Sequence, residues 1–328
     1  MSAHKVYILQ DLFPSYAREK AALAEADAEG IVVNPWISDD ELIETIGDAE
    51  GVLTDRRPFT RKIVFGLPRL KIISVYGIGT EAVDIVAATE RRIPVANLPG
   101  FCAEDVSEHA ITLLLAASRK LVPQNNMVKS REVGWTQVPF QPIYRLAGKT
   151  LGLVGLGSIG QATARKAQGL GMKTIAYDPY VAPALANKMG VALVSLQELF
   201  QSADHVSIHV GLSRETEGMI DDALLRMLKP TATLVNTSRG KIVNQDALVA
   251  ALREKSIAAA GVDVVREDPP SEETYAELLS LPNVVVTPHT AWYSEESIKT
   301  LQVDCARNAA LVLRGERPMH TVNPEVYK

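Results

Sequence analysis

The chain has 328 residues, 47% apolar and 22% charged, with a formal net charge of −5. That length suits two domains with sizeable cores, and the composition is that of a globular protein. The mildly acidic balance argues against a nucleic-acid surface, no stretch is long and apolar enough to span a membrane, and the N-terminus lacks a signal-peptide apolar core.

The only cysteines are Cys102 and Cys305, with neither metal-ligand spacing nor a disulfide framework, so no metal is expected and a reducing cytoplasm fits. In chain order, residues 5–10 predict a buried strand and Ser15 to Asp27 a helix. Strands follow at 31–33, 52–54, 71–75 and 93–96. Asp39-Asp40 caps a short helix to Gly47, and Val83 to Arg91 is helical. Residues 97–103 (NLPGFCA) read as a crossing between domains. Glu104 to Leu121 is a long apolar helix, Asn125 to Trp135 a second helix, and 136–146 a loop or extended arm. Strands alternating with helices indicate a parallel sheet covered on both faces.

The stretch from Lys149 to Asp178 reads as strand, glycine turn, helix and strand. Its turn, Gly155-Leu156-Gly157-Ser158-Ile159-Gly160, has the GxGxxG spacing of a dinucleotide cradle. Gly155 permits a sharp turn, Gly157 leaves room for a pyrophosphate, and Gly160 lets the helix approach the strand. The helix N-terminus offers free N–H groups to the phosphates. Asp178, at the end of the second strand, is placed to accept the adenosine ribose hydroxyls. Its charge repels a 2′-phosphate, so NAD is favoured over NADP. The loop Gly77 to Ala82 imitates this spacing, but its next strand ends at Asn97 rather than an acid. A backbone nest for a smaller anion, such as a substrate carboxylate, is the better reading there.

Beyond Asp178, helices are expected at 196–201, 222–228, 244–254 and 294–313, and strands at 206–210, 233–236, 258–264 and 284–287. Ser294 can cap the last helix. Ser297 stands where a strict capping box has an acid or amide, so no such box is expected. Closure of the first domain by this last helix makes that domain discontinuous. The domains expected are 1–99 with 292–328 for the substrate and 100–291 for NAD, with a hinged cleft between them.

Three strand ends after the fingerprint carry reactive side chains: Arg239 in NTSRG, Asp263 leading to Asp268 in GVDVVREDPP, and His289 in TPHTAW. Ligands of open α/β sheets bind at carboxyl ends of strands. Hydride arriving at a 2-keto carbon makes its oxygen negative, and His289 is the natural proton donor. Asp268 beside it would hold the ring and favour its protonated form. Arg239 can pair with a substrate carboxylate and polarise the carbonyl. Asp263 can accept from the nicotinamide carboxamide. Singly, each has a bland reading: a surface ion pair for Arg239, a structural hydrogen bond for His289, a cap for Asp263. Their succession after one fingerprint favours chemistry.

NTSRG, GVDV followed by an acid and prolines, and TPHTAWYSEE resemble the D-isomer-specific 2-hydroxyacid dehydrogenase family. YGIGTEAVD, EDVSEHAITLLLA and LAGKTLGLVGLGSIG extend the resemblance over nearly the whole chain, and PHTAWYSE resembles the C-terminal binding protein branch. The resemblance implies an α/β protein of two doubly wound parallel sheets, with a Rossmann NAD domain inserted into a discontinuous flavodoxin-like substrate domain. It implies Arg239, Asp268 and His289 as the catalytic set, and substrate-carboxylate binding by the backbone around Tyr76, Gly77 and Ile78. Cofactor contacts would include Val106, Gly157 to Ile159, Asp178, Thr237, Asp263 and His289. Trp292 would either line the substrate pocket or pack at the hinge. A homodimer through the NAD domains is implied.

Two departures stand out. The family usually has Glu at the position of Asp268, so the bond to His289 is longer or needs a backbone shift. Glu267 is the neighbouring alternative, one residue off register. Gly211 often stands as proline. The expected activity is NADH-dependent reduction of a 2-keto acid to a D-2-hydroxy acid, of glyoxylate or hydroxypyruvate type or bulkier. The alternative is an NAD(H)-sensing corepressor scaffold like the C-terminal binding proteins.

Overall fold

Short apolar runs of four to six residues, separated by helices, fold into two open parallel sheets. The structure, a computed structural model, describes residues 3–131, 140–267 and 269–328. It divides into two compact units, 1–101 with 294–328, and 102–293.

In the first unit the elements are β1 (His4–Leu9), α1 (Ala17–Ala24), β2 (Ala28–Val32), α2 (Asp39–Thr45), β3 (Gly51–Thr54), α3 (Arg61–Gly66), β4 (Ile72–Val75), α4 (Ile85–Glu90) and β5 (Val95–Ala96). The strand order is β2-β1-β3-β4-β5, all parallel, which is the flavodoxin-like winding. β3 and β4 are buried along their whole length, as expected for central strands covered on both faces. Phe59, Ile63 and Leu67 are fully buried beneath them. Each such side chain contributes about 1.5–3 kcal/mol.

Several boundaries differ from the sequence expectation for local reasons. The first helix stops at Ala24, and Asp27 takes a left-handed turn (φ 50°) into β2, which starts three residues earlier than expected. Ser38, not Asp39, caps α2, because its hydroxyl accepts Glu41 N–H. α3 was not expected from sequence. It is one short turn-and-a-half, started by Thr60, whose hydroxyl accepts Ile63 N–H.

The second unit holds α5 (Ala103–Ser118), α6 (Leu121–Ser130), β6 (Thr150–Val154), α7 (Ser158–Gly169), β7 (Lys173–Tyr177), α8 (Pro183–Lys188), β8 (Ala192–Leu193), α9 (Leu196–Ser202), β9 (His205–Ile208), α10 (Asp222–Leu225), β10 (Thr233–Asn236), α11 (Gln245–Arg253), β11 (Ala259–Val262), α12 (Glu272–Thr274) and β12 (Val284–Val286). α6 begins at Leu121 behind the left-handed Lys120, earlier than the helix expected from Asn125. The rest of that expected helix, and of the arm after it, lies partly in 132–139, outside the described residues. The strand order is β12-β11-β10-β9-β6-β7-β8, all parallel. This is the Rossmann winding with one further strand at the β12 edge, and the order reverses between β6 and β9. Phe200, Leu225 and Leu234 lie in a core between the sheet and α9 to α11.

The last helix, α13 (Glu295–Leu313), returns to the first unit and packs on α1, β3 and β4. Ser74 Oγ donates to Cys305 O across that contact. A capping box does start this helix: Ser294 Oγ accepts Ser297 N–H, and Ser297 Oγ accepts Ser294 N–H. The expectation that serine could not close the box is corrected, since a hydroxyl at that spacing reaches back as an acid would. Both cysteines are buried thiols, and burial pushes Cys102 up to about 12. Among the described residues no helix is long and apolar enough to cross a membrane, and no acid, histidine and cysteine cluster could hold a metal.

Candidate active site

The glycine turn is built by exclusion of side chains. Gly155 has φ +98°, and a Cβ there would lie 2.9 Å from the carbonyl of His209 on the neighbouring β9 side. Only glycine takes both demands without strain. A Cβ on Gly160 would sit 2.3 Å from Gly155 O, so α7 can start this close to β6 only without one. Gly157 is different: nothing lies within 4 Å of its Cβ position. That open face is where a pyrophosphate would rest. The first helical bond of α7 runs from Gln161 N–H to Gly157 O, which leaves the N–H groups of Ser158, Ile159 and Gly160 without helical acceptors.

Asp178 follows β7 and faces this turn. Its Oδ2 accepts Leu156 N–H at 2.8 Å, and its Oδ1 accepts Tyr180 and Val181 N–H at 2.9 and 3.2 Å. The acid therefore also braces the glycine turn; Oδ1 has both lone-pair sites taken by N–H groups, and Oδ2 keeps one for a ribose hydroxyl. Thr237, just after β10, has a buried Oγ1 with no hydrogen-bond partner among the described residues. An unpartnered hydroxyl at a strand's carboxyl end fits a polar ligand group. Val106 is buried on α5. These residues fit an NAD molecule laid across the strand ends.

Arg239, Asp263 and His289 line one cavity of about 680 Å³, together with Gly240, Glu267, Tyr275 and Leu279 among others. β10, β11 and β12 are consecutive neighbours, so their carboxyl ends bring these residues together. Asn236 Nδ2 donates to Arg239 O at 3.0 Å, and Arg239 Nη1 donates to Ser238 O at 2.9 Å. Gly240 is a contact that the sequence reading missed. A Cβ there would lie 1.9 Å from Val265 O, so the Arg239 turn and the chain leading to Asp268 are stacked backbone on backbone. Asp268 itself lies outside the described residues. Glu267 is already engaged. It accepts from Arg266 Nε at 2.9 Å and Thr274 Oγ1 at 2.9 Å, and the Thr274 bond, then the Arg266 bond, holds it below the usual range. Its carboxylate braces the hydroxyls of Ser271, the cap of α12, and of Thr274 within that turn.

His289 sits at φ +54°, uncommon for a residue with a side chain. Asp263 is 2% exposed. Its Oδ1 accepts Thr287 Oγ1 at 2.5 Å and Thr290 N–H at 3.0 Å, and its Oδ2 accepts Ala291 N–H at 2.9 Å. Its carbonyl takes His289 N–H. Asp263 thus grips its own chain, a role that the sequence did not reveal. Trp292 Nε1 donates to His289 O at 3.0 Å and its ring meets Tyr293 edge-on, which ties it to the turn.

Tyr76, Gly77 and Ile78 belong to the first unit. Tyr76 N–H is spent on Thr54 O, and its hydroxyl donates to the buried Glu19 at 3.1 Å, so this residue has no N–H left for an anion. That part of the expected nest is corrected. Gly77 (φ +133°) and Ile78 turn outward, and their N–H groups have no partner among the described residues. α4 starts only at Ile85, so this loop, unlike 155–160, does not open a helix.

The fold and turn define an NAD-binding Rossmann unit, and comparison with known proteins extends this to a family. Residues 111–291 match the model of the D-isomer specific 2-hydroxyacid dehydrogenase, NAD binding domain. The chain is 40% identical over 295 residues to a glyoxylate reductase of Korarchaeum cryptofilum, covering 88% of this chain and 86% of that one. It is 36% identical to a hydroxypyruvate reductase of Blautia hydrogenotrophica, over 87% and 88% of the two chains. The crystal structure of a glyoxylate reductase from Paecilomyes thermophila superposes with a TM-score of 0.87 at 25% identity, over 98% and 99%. The chain belongs to the D-isomer-specific 2-hydroxyacid dehydrogenase family and is an NAD-dependent oxidoreductase of 2-keto and D-2-hydroxy acids.

Proposed function

We propose that the chain reduces a small 2-keto acid of the glyoxylate or hydroxypyruvate type, with His289 as proton donor. The observation that carries this reading is the shared cavity of Arg239 and His289 at adjoining strand ends. Bound NADH supplies the hydride. Arg239 binds the substrate carboxylate and draws charge from the carbonyl. His289 gives its proton to the oxygen as the carbon is reduced, so the C=O becomes CH–OH. Asp268 orients the His289 ring and stabilises its protonated form. Gly77 and Ile78 offer N–H groups to a carboxylate. Gly155, Gly157, Ser158, Ile159 and Gly160 hold the pyrophosphate, Asp178 the ribose, and Val106, Thr237 and Asp263 the nicotinamide end.

In the same reading 1–101 with 294–328 is the substrate domain, and the protein works in a reducing cytoplasm, where its two buried thiols stay reduced. It is a homodimer through the NAD-binding units. α6 supports this: it has no buried residue, and Leu121 and Val128 on it are 60% and 42% exposed.

The test is a panel of 2-keto acids with NADH, followed by loss of NADH absorbance, on the wild type and His289→Ala. Turnover in the wild type and none in the variant, with NADH binding retained, is the expected result. A variant with near-normal turnover, or a wild type inactive on the whole panel, would sink the mechanism.

A further inference from the structure

We propose that His109 is a positioning residue for this reaction, which rests on His289 being the proton donor. His109 lies on α5, whose face beside it packs on β10, β11 and β12. Its Nε2 is 2.8 Å from Thr287 Oγ1 and 3.6 Å from Asp263 Oδ1.

The direction of these bonds follows from counting protons. Asp263 is an acceptor only, so the Thr287 hydroxyl donates its one proton to Oδ1. That hydroxyl can then only accept from His109. His109 must carry its proton on Nε2, and the chain runs His109 Nε2–H to Thr287 Oγ–H to Asp263 Oδ1. The second oxygen, the main-chain carbonyl and the shared Oδ1 of Asp263 take three successive N–H groups, those of His289, Thr290 and Ala291. Asp263 is therefore the clamp of the left-handed turn that carries His289. The basic group beside this buried carboxylate, among the described residues, is the His109 ring.

A left-handed backbone on a side-chain-bearing residue persists only when its surroundings over-determine it. His109 supplies one of those determinants from another element, across 178 residues of sequence. Without it the Thr287 hydroxyl is held by its bond to Asp263 alone, the clamp is less fixed, and the turn relaxes. His109 touches no reacting atom. It acts through Thr287 and Asp263 on where the His289 ring stands.

The experiment compares His109→Leu, His109→Gln, Thr287→Val and the double variant His109→Leu/Thr287→Val. It reads kcat, KM for NADH, thermal midpoint, and amide hydrogen exchange of the peptide carrying 289–291. In His109→Leu, kcat should fall about tenfold to about a hundredfold, the scale of a misplacement near 1 Å, with KM for NADH changing less than kcat. Glutamine has an amide donor near the position of Nε2, so His109→Gln should recover most of kcat. The double variant should be no slower than the worse single one, since both cut the same chain. Exchange at 289–291 should quicken in His109→Leu even where no substrate is turned over. Wild-type kcat in His109→Leu, no rescue by glutamine, multiplying losses, or unchanged exchange would each overturn the proposal. An inactive wild type or an active His289→Ala would overturn the donor assignment instead, while the exchange result still reports on the clamp.

Discussion

Gly240→Ala puts the stacking of the Arg239 turn on the 265–267 chain to a direct trial. The added Cβ would meet Val265 O at 1.9 Å, Val265 C at 2.0 Å and Arg266 N at 2.6 Å. All three are backbone atoms, so no side chain can swing aside. Opening the contact to about 3.3 Å moves one chain against the other by roughly 1.4 Å. Overpacking of this kind costs about 1–3 kcal/mol, less than a typical total stability of about 5–15 kcal/mol, so the variant should fold. Arg239 precedes the glycine directly, and 265–267 leads directly to Asp268. A shift of about 1 Å between such groups costs up to about a hundredfold in rate, or about 2.7 kcal/mol of barrier. The assay is kcat/KM for the best 2-keto acid at saturating NADH, with NADH affinity measured by fluorescence quenching. The glycine turn at 155–160 is built from β6, α7 and β9 and does not touch Gly240, so that affinity should change little. A Gly240→Ala enzyme with wild-type kcat/KM would refute the account of how the arginine is held.

Asp178→Ala should weaken NADH and narrow the preference over NADPH; an unchanged ratio of kcat/KM for the two cofactors would count against its ribose role. Burial holds His205 down at about 4 and His209 at about 3, against an ordinary 6.5. The unfolded chain takes these protons first, so stability is complete above pH 6.5 and falls as pH drops from there toward 4, by up to about 1.4 kcal/mol per pH unit for each ring. Glu19, which burial pushes up, opposes this at the acid end of the window, so the sharper comparison is the urea midpoint of His209→Gln, which should vary less with pH than the wild type. Phe200→Ala removes a fully buried ring between the sheet and its helices and should cost about 3–5 kcal/mol, read as a lowered denaturant midpoint at unchanged slope.

Much of the fold was legible because its determinants are local. Central strands buried on both faces appear as unbroken apolar runs, and a glycine turn between strand and helix has few other readings. Short elements were not legible. α3 has six residues and depends on Thr60, and β8 has two at a sheet edge. At the site, residue types singled out Arg239, Asp178 and His289 as candidates, because each suits the chemistry proposed for it. What the sequence hid were partners distant along the chain. Nothing in GVDV says that both oxygens of Asp263 turn to residues 287–291, and nothing in SEHA says that His109 meets Thr287. Gly240 was visible as a residue but not as a contact, since the backbone it admits comes from the next strand's loop. Ser297 was misjudged because capping-box statistics favour an acid where the geometry needs only an oxygen within reach.

The seven-stranded sheet also acts as a ruler. Asp178 follows β7 and Arg239 follows β10, with β6 and β9 between them. Three strand spacings of about 4.8 Å separate the two, or about 14 Å, and His289 stands two strands further on. Only a ligand long enough to lie across those strand ends can touch the acid and the arginine together. A mononucleotide fragment can satisfy one end of the sheet alone, so adenosine and nicotinamide halves should bind at separate addresses, without competing.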